Sequence, residues 1–221
     1  MPRNSTPSVS SNGNDATILR NMLLAVDENS GVTQRKLAGN LGIALGLANA
    51  YLKRAVKKGL IKVSRAPANR YAYYLTPKGF SEKSRLTAEY FSQSFKFFRE
   101  ARGQCKDLYE HCIAHTWRRI AFAGISDLAE IAVMSAHEFP IDLIGIVDMD
   151  GDTDAVEFAG VRVVSAPARL ERPDVIIVTD LRTSEDSFNK LILEFPSERV
   201  LAFPLLGINS DERKPKGRTA T

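Results

Sequence analysis

Cysteine is nearly missing from this chain of 221 residues, which has only Cys105 and Cys112. Two cysteines cannot make a disulfide framework and fit a reducing compartment. Long apolar runs are missing too. None approaches the roughly 18 residues a membrane span needs, and the opening MPRNSTPSVSSNGNDAT is too polar for a signal peptide. A cytoplasmic protein with no membrane partner is therefore expected. Residues 118–207 contain no tyrosine and a single lysine, Lys190. With neither a tyrosine–lysine dyad nor a nucleophile–base pair there, an enzyme is not expected. Cys105, His111, Cys112 and His115 lie close together, but their spacing matches no established zinc pattern, so no metal is expected either.

What is present is an ordinary globular composition, 44% hydrophobic and 25% charged, with an uneven distribution of charge. Residues 1–117 carry 18 Lys/Arg against 8 Asp/Glu, whereas residues 118–207 carry 8 against 16. A basic first half joined to an acidic second half points to a polyanion partner for the first half alone. The length favours two modest domains over one large one.

Residues 1–14 lack hydrophobic periodicity and read as a flexible arm. Asp15 can cap a first helix with Ile18, Leu19, Met22, Leu23 and Val26 inward, closed by Gly31. Thr33 can cap a second helix, TQRKLAGNLG, which Gly42 ends. In the third, ALGLANAYLKRAVKKG, the inward set is Ala48, Leu52 and Ala55/Val56, which leaves Gly46, Leu47, Asn49, Ala50, Lys53, Arg54 and Lys57 outward. Two β-prone stretches, GLIKVSR and YAYYLT, flank a turn with Arg65, Asn69 and Arg70 at its shoulders. Helix, helix, turn, helix and hairpin over residues 15–79 is the order of a winged helix, whose third helix enters the major groove. Asn49 can bond adenine in bidentate fashion, and Lys53, Arg54 and Lys57 can reach phosphates or guanine. Gln34, Arg35 and Lys36, at the start of the second helix, complete the candidate DNA interface.

Residues 80–117 read as one long helix or two, with Gly103 as the break. Their aromatic stripe, including Phe80, Tyr90, Phe91, Phe95 and Phe98, calls for cover, most simply the same helix of a second chain, with packing on its own chain as the alternative. Residues 118–207 alternate buried-strand runs (RRIAFAG, DLIGIVD, VRVVS, DVIIVTD, RVLAFPL) with helices at 126–138 and 184–195, the pattern of a small Rossmann-like parallel sheet of about five strands. Residues 208–221 read as a mobile tail. The fold class is thus multidomain α/β, comprising a winged helix, a linking and dimerising helix, and a small Rossmann-like sheet.

The stretch QRKLAGNLGIALGLANAYLKRAVKKGLIKV followed by YYLTPKGFSEKSRLTAEYF resembles the winged-helix domain of MarR-type regulators, particularly the exopolysaccharide-associated group. Ala44 departs from the serine or threonine that commonly caps the recognition helix there. The second half is similar to the small Rossmann-like domain of sugar acyltransferases and some nucleotide-sugar dehydratases, through AGISDLAEIAVMSA, IVDMDGD, FAGVRVVSAP and DVIIVTD. That similarity implies a nucleotide or nucleotide-sugar effector, with no required cofactor, held at the strand ends by Gly124, Ser126, Asp127, Asp148, Thr179 and Asp180. With a single glycine in the first turn and Asp127 at the helix start, ordinary dinucleotide binding is not favoured.

The sequence therefore predicts a homodimeric, sequence-specific regulator of double-stranded DNA with a ligand-sensing second domain. Its rivals are a second domain that is a ligand-free scaffold, or a nucleotide-sugar enzyme with an autoregulatory DNA-binding domain.

Overall fold

The computed structural model describes residues 11–66, 70–149, 151 and 156–208. By contacts the chain divides into two compact units, Met1–Phe95 and Lys96–Thr221. The boundary falls inside the predicted linking helix, not at either end of it.

The first unit contains α1 (Ser11–Glu28), α2 (Gln34–Asn40), α3 (Leu45–Lys57), the antiparallel hairpin β1 (Ile61–Ala66) and β2 (Arg70–Leu75), and the first half of α4 (Pro77–Ala114). Met22 and Leu23 of α1, Leu37 of α2, Leu52 and Ala55 of α3, Tyr73 of β2 and Leu86 of α4 form one buried cluster. Thr33 caps α2 as expected, its hydroxyl accepting the Lys36 amide at 3.2 Å. Asp15 is not a cap. The helix starts at Ser11, which takes in the end of the predicted arm, and the Asp15 carboxylate accepts the Tyr51 hydroxyl and lies 3.5 Å from Arg54. A partner on α3 thus claims the side chain the cap would have used. Tyr51, left out of the predicted inward set, is 7% exposed, whereas Val56 is 36% exposed. Thr76 begins α4, its hydroxyl accepting the Gly79 amide at 3.0 Å, with Pro77 at the first helical position, where a missing N–H costs nothing. A Cβ on Gly79 would stand 2.1 Å from the Leu60 carbonyl oxygen, which ties the TPKG sequence to the close approach of helix and hairpin.

Gly103 does not break α4, which runs unbroken to Ala114. A mid-helix glycine costs about 1 kcal/mol relative to alanine, and the burial of Ala101, Cys105, Tyr109 and Cys112 around it outweighs that.

In the second unit, the rest of α4 leads into β3 (Arg119–Ala123), α5 (Asp127–Ala136), β4 (Asp142–Val147), β5 (Glu157–Phe158), β6 (Val161–Val164), β7 (Val175–Val178), α6 (Ser184–Glu194) and β8 (Val200–Ala202). The sheet order is β5-β6-β4-β3-β7-β8, with β5 antiparallel to β6 and the other neighbours parallel. The five predicted strands are all present. β5 adds a sixth, turned by Ala159 and Gly160, both at positive φ. Alternate residues of each strand face opposite layers. Ile120, Phe122, Val175 and Ile177 pack with α4 and α5, while Ala121, Ala123, Ile176 and Val178 pack with Phe188 and Leu191 of α6. The Tyr109 hydroxyl fastens α4 to α5 by donating to the Ala132 carbonyl at 2.7 Å.

Candidate nucleic-acid interface

The hairpin register pairs Ile61 with Leu75, Val63 with Tyr73 and Arg65 with Tyr71. Because side chains alternate, these residues share one face of the hairpin. Val63, Tyr71 and Tyr73 meet Gln34 of α2 and Leu52, Lys53, Val56 and Lys57 of α3 across a groove of about 430 Å³. Gln34 donates through Nε2 to the Tyr73 hydroxyl at 3.2 Å, which fixes the end of α2 against the wing.

Arg35 and Lys36 are exposed on α2. On α3 the outward residues Gly46, Leu47, Ala50, Lys53, Arg54 and Lys57 are exposed as the periodicity requires, and so is Arg65 on β1. Arg35, Lys36, Lys53, Lys57 and Arg65 have no ion-pair partner among the described residues, whereas Arg54 is shared with Asp15. No acidic residue stands between Glu28 and Glu82. That run, which covers α2, α3 and the wing, was a readable signal finer than the charge of the two halves. Tyr71 (54% exposed) and Val63 (38%) on the groove face were missed because strand residues were read for pairing alone. Asn69 and the side chain of Arg70 lie outside the described residues.

Asn49 differs from its neighbours. It is half-buried, and its Oδ1 is covered with no hydrogen-bond partner among the described residues. Bidentate bonding to adenine uses that oxygen, so the amide must first turn outward. A buried carbonyl without a donor costs about 1–3 kcal/mol, which favours the turn. As its sequence implies, Ala44 gives α3 no side-chain cap.

At the strand ends of the second unit, most of the candidate ligand groups are committed to the fold. The Thr179 hydroxyl, fully buried, donates to the Gly124 carbonyl at 2.6 Å and lies 3.1 Å from that of Ala123. Ser126 caps α5 by accepting the Ala129 amide at 3.2 Å and donates to the Thr179 carbonyl at 2.5 Å. The Asp180 carboxylate accepts from the amides of Arg182 (2.8 Å) and Thr183 (3.2 Å) and from the hydroxyls of Thr183 (2.6 Å) and Ser187 (2.7 Å). Burial raises its pKa, but the four donors outweigh burial and hold it below the usual carboxylate value. Gly124 has φ +105°, and a Cβ there would lie 2.5–2.6 Å from Asp180. The glycine therefore serves the close approach of two turns. Asp127 is exposed in the first turn of α5, and half-buried Asp148 accepts the Gly151 amide at 3.1 Å.

Cys105 and Cys112 are buried and free, while His111 and His115 lie on the exposed side with ring centroids 4.2 Å apart and ring planes tilted by 38°. The four side chains do not converge. Burial pushes both thiols up to about 11.

A family model described as winged helix-turn-helix DNA-binding matches residues 16–62. Similar solved structures include the PcaV transcriptional regulator from Streptomyces coelicolor (19% identity, 45% of this chain and 75% of that one, TM-score 0.37). Others are MepR, a transcription regulator of the Staphylococcus aureus multidrug efflux pump MepA (17%, 47% and 78%, TM-score 0.35), and the zinc-responsive MarR family member ZitR of Lactococcus lactis (20%, 62% and 76%, TM-score 0.33). No curated protein matches the chain. The family match lies within the first unit, where α1, α2, α3 and the β1–β2 hairpin have the order of a winged helix. No helix among the described residues is long and apolar enough to cross a membrane.

Proposed function

We propose that the protein is a DNA-binding transcription regulator, in which α3 reads the major groove and the β1–β2 wing holds the adjacent backbone. The observation that carries this reading is the acid-free run across α2, α3 and the wing, in which Arg35, Lys36, Lys53, Lys57 and Arg65 have no ion-pair partner among the described residues while Arg54 is shared with Asp15. Such cations release counterions from phosphates on binding, so affinity falls steeply with salt. Anisotropy titration of duplex DNA selected from a random pool tests it. Wild-type protein should enrich a sequence and lose affinity with salt, and a Lys53/Lys57/Arg65 triple alanine variant should bind at least tenfold more weakly with a shallower salt slope. Failure to enrich any duplex, or unchanged affinity in the variant, rejects the reading.

The reading includes a homodimer. Tyr90, Phe91 and Phe95 on α4 are 44–59% exposed, with the Phe91 and Phe95 rings stacked at 6.4 Å, and a second copy is the simplest cover for such a stripe. Two heads would then read half-sites roughly 34–36 Å apart. The resemblance to the exopolysaccharide-associated group extends the proposal to surface-polysaccharide genes as targets.

For the second unit, the strand order, which reverses between β3 and β7, supports a Rossmann-like sheet. A nucleotide or nucleotide-sugar effector at its strand ends would have to use Asp148 and backbone groups, since Thr179 and Ser126 tie the two turns together and Asp180 is held by Arg182, Thr183 and Ser187. That commitment favours the second reading, a sheet that acts as a scaffold at this edge. Calorimetry with uridine and adenine nucleotides separates the two. Heat that Asp148→Ala abolishes supports the effector, and no heat supports the scaffold.

A further inference from the structure

A groove elsewhere in the second unit has the open, charged character that the strand ends lack. It lies between the second half of α4 and the end of α5 and encloses about 330 Å³, within the lower range of small-molecule sites. One wall carries Arg99, Arg102 and Lys106, which fall on one helix face at intervals of three and four residues. Glu138 on the opposite wall holds Arg102 at 2.6 Å. Lys106 reaches Glu110, outside the groove, at 3.8 Å in an exposed pair that contributes little. Arg99 has no ion-pair partner among the described residues. Three cations facing one carboxylate leave two positive charges unbalanced in the lining.

The groove also has apolar sides. Phe98 is 37% exposed at its rim. Phe139 is held rigidly by Tyr109, the two rings meeting edge to face at 5.3 Å. Gly103, exposed on α4, also lines the groove. A Cβ built there meets nothing within 4 Å, so no packing inside the protein requires glycine, although glycine weakens the helix at that point. A side chain there would project into the open space of the lining.

We propose that this groove binds a phosphate monoester on a small flat apolar body. A phosphoryl dianion carries about −1.5 to −2 charges at neutral pH, matching the unbalanced charge of the lining. Guanidinium groups engage its oxygens in bidentate pairs, and the space between Phe98 and Phe139 takes the flat body. A carboxylate supplies half the charge and a free phosphate no apolar contact, so both bind less well. The site is separate from the strand-end crevice and does not depend on the protein's binding DNA.

Calorimetry on the full-length protein at low salt tests the proposal with phenyl phosphate as probe, beside inorganic phosphate, benzoate and benzyl alcohol. Phenyl phosphate should bind at least about tenfold more tightly than each of the other three, and its affinity should fall with salt. Arg99→Gln should weaken it about tenfold without changing the melting temperature. Gly103→Ala is the sharper variant, because alanine favours the helix while placing a methyl group in the lining. It should raise or preserve the melting temperature and weaken phenyl phosphate binding. No heat with phenyl phosphate at millimolar concentration, or undiminished binding in Gly103→Ala, overturns the proposal. A Gly103→Ala variant that instead loses its oligomeric mass in light scattering also overturns it, by making the glycine a contact between copies.

Discussion

The surface of α2, α3 and the wing in the first unit and the strand ends of the second use their polar groups in opposite ways. In the first, Arg35, Lys36, Lys53, Lys57 and Arg65 are exposed with no ion-pair partner among the described residues, and among those residues the Asn49 carbonyl has no hydrogen-bond donor. In the second, Thr179 bonds the Gly124 carbonyl, Ser126 the Thr179 carbonyl, and Asp180 the start of α6 through Ser187, so that the switch point of the sheet becomes a structural joint. Unspent hydrogen-bonding and charge capacity marks a surface meant for another molecule, and where that capacity is consumed internally, position in the fold alone is weak evidence of a site.

The most severe test of this contrast is Gly124→Ala. The added methyl would meet Asp180 in a backbone conformation alanine adopts poorly, so the second unit should lose about 2–5 kcal/mol while DNA affinity is unchanged. Thermal denaturation beside an anisotropy titration would show it, and a stable variant would mean the joint is looser than described. Next is Asn49→Ala, which should relax base preference by about 1–3 kcal/mol and, by removing the buried carbonyl, leave the free protein no less stable. If stability fell instead, the amide would belong to the fold.

A smaller effect is expected from acid. The Asp180 carboxyl is held below its unfolded value, so its stabilising contribution is complete above the ordinary carboxylate range and is lost as pH falls through the folded value. Thermal unfolding of Asp180→Asn should be less dependent on pH below about 4 than that of the wild type, and its stability at neutral pH should be lower by about 1–3 kcal/mol. Parallel acid profiles would remove Asp180 from the joint. The mildest test is chemical. Cys105 and Cys112, buried with thiols near 11, should resist iodoacetamide at pH 7.5 until the second unit unfolds. Rapid labelling of the folded protein would show that α4 opens locally.

Much of this architecture was legible. Thr33 and the β-branched runs of the sheet are local signals that tertiary packing did not contradict, whereas on α3 packing buried Tyr51 and left Val56 exposed against the expected period. The misreadings have a common origin in partners distant along the chain. Asp15 looked like a cap until Tyr51, 36 residues away, took its carboxylate. Gly103 looked like a break because nothing in its neighbourhood announces the sheet that buries the residues on either side. Thr179 and Asp180 were placed correctly at a strand end, but no sequence spacing shows that Gly124 and Ser187 would occupy them. β5 is two residues long, too short to display a period.

The acid-free run between Glu28 and Glu82 also has a consequence for the protein away from DNA. With no carboxylate among α2, α3 and the wing, their cations repel one another in the folded head, and expansion relieves that repulsion. Added salt should therefore stabilise the free head even as it weakens any hold on a duplex, and a bound polyanion would serve the head as a counterion.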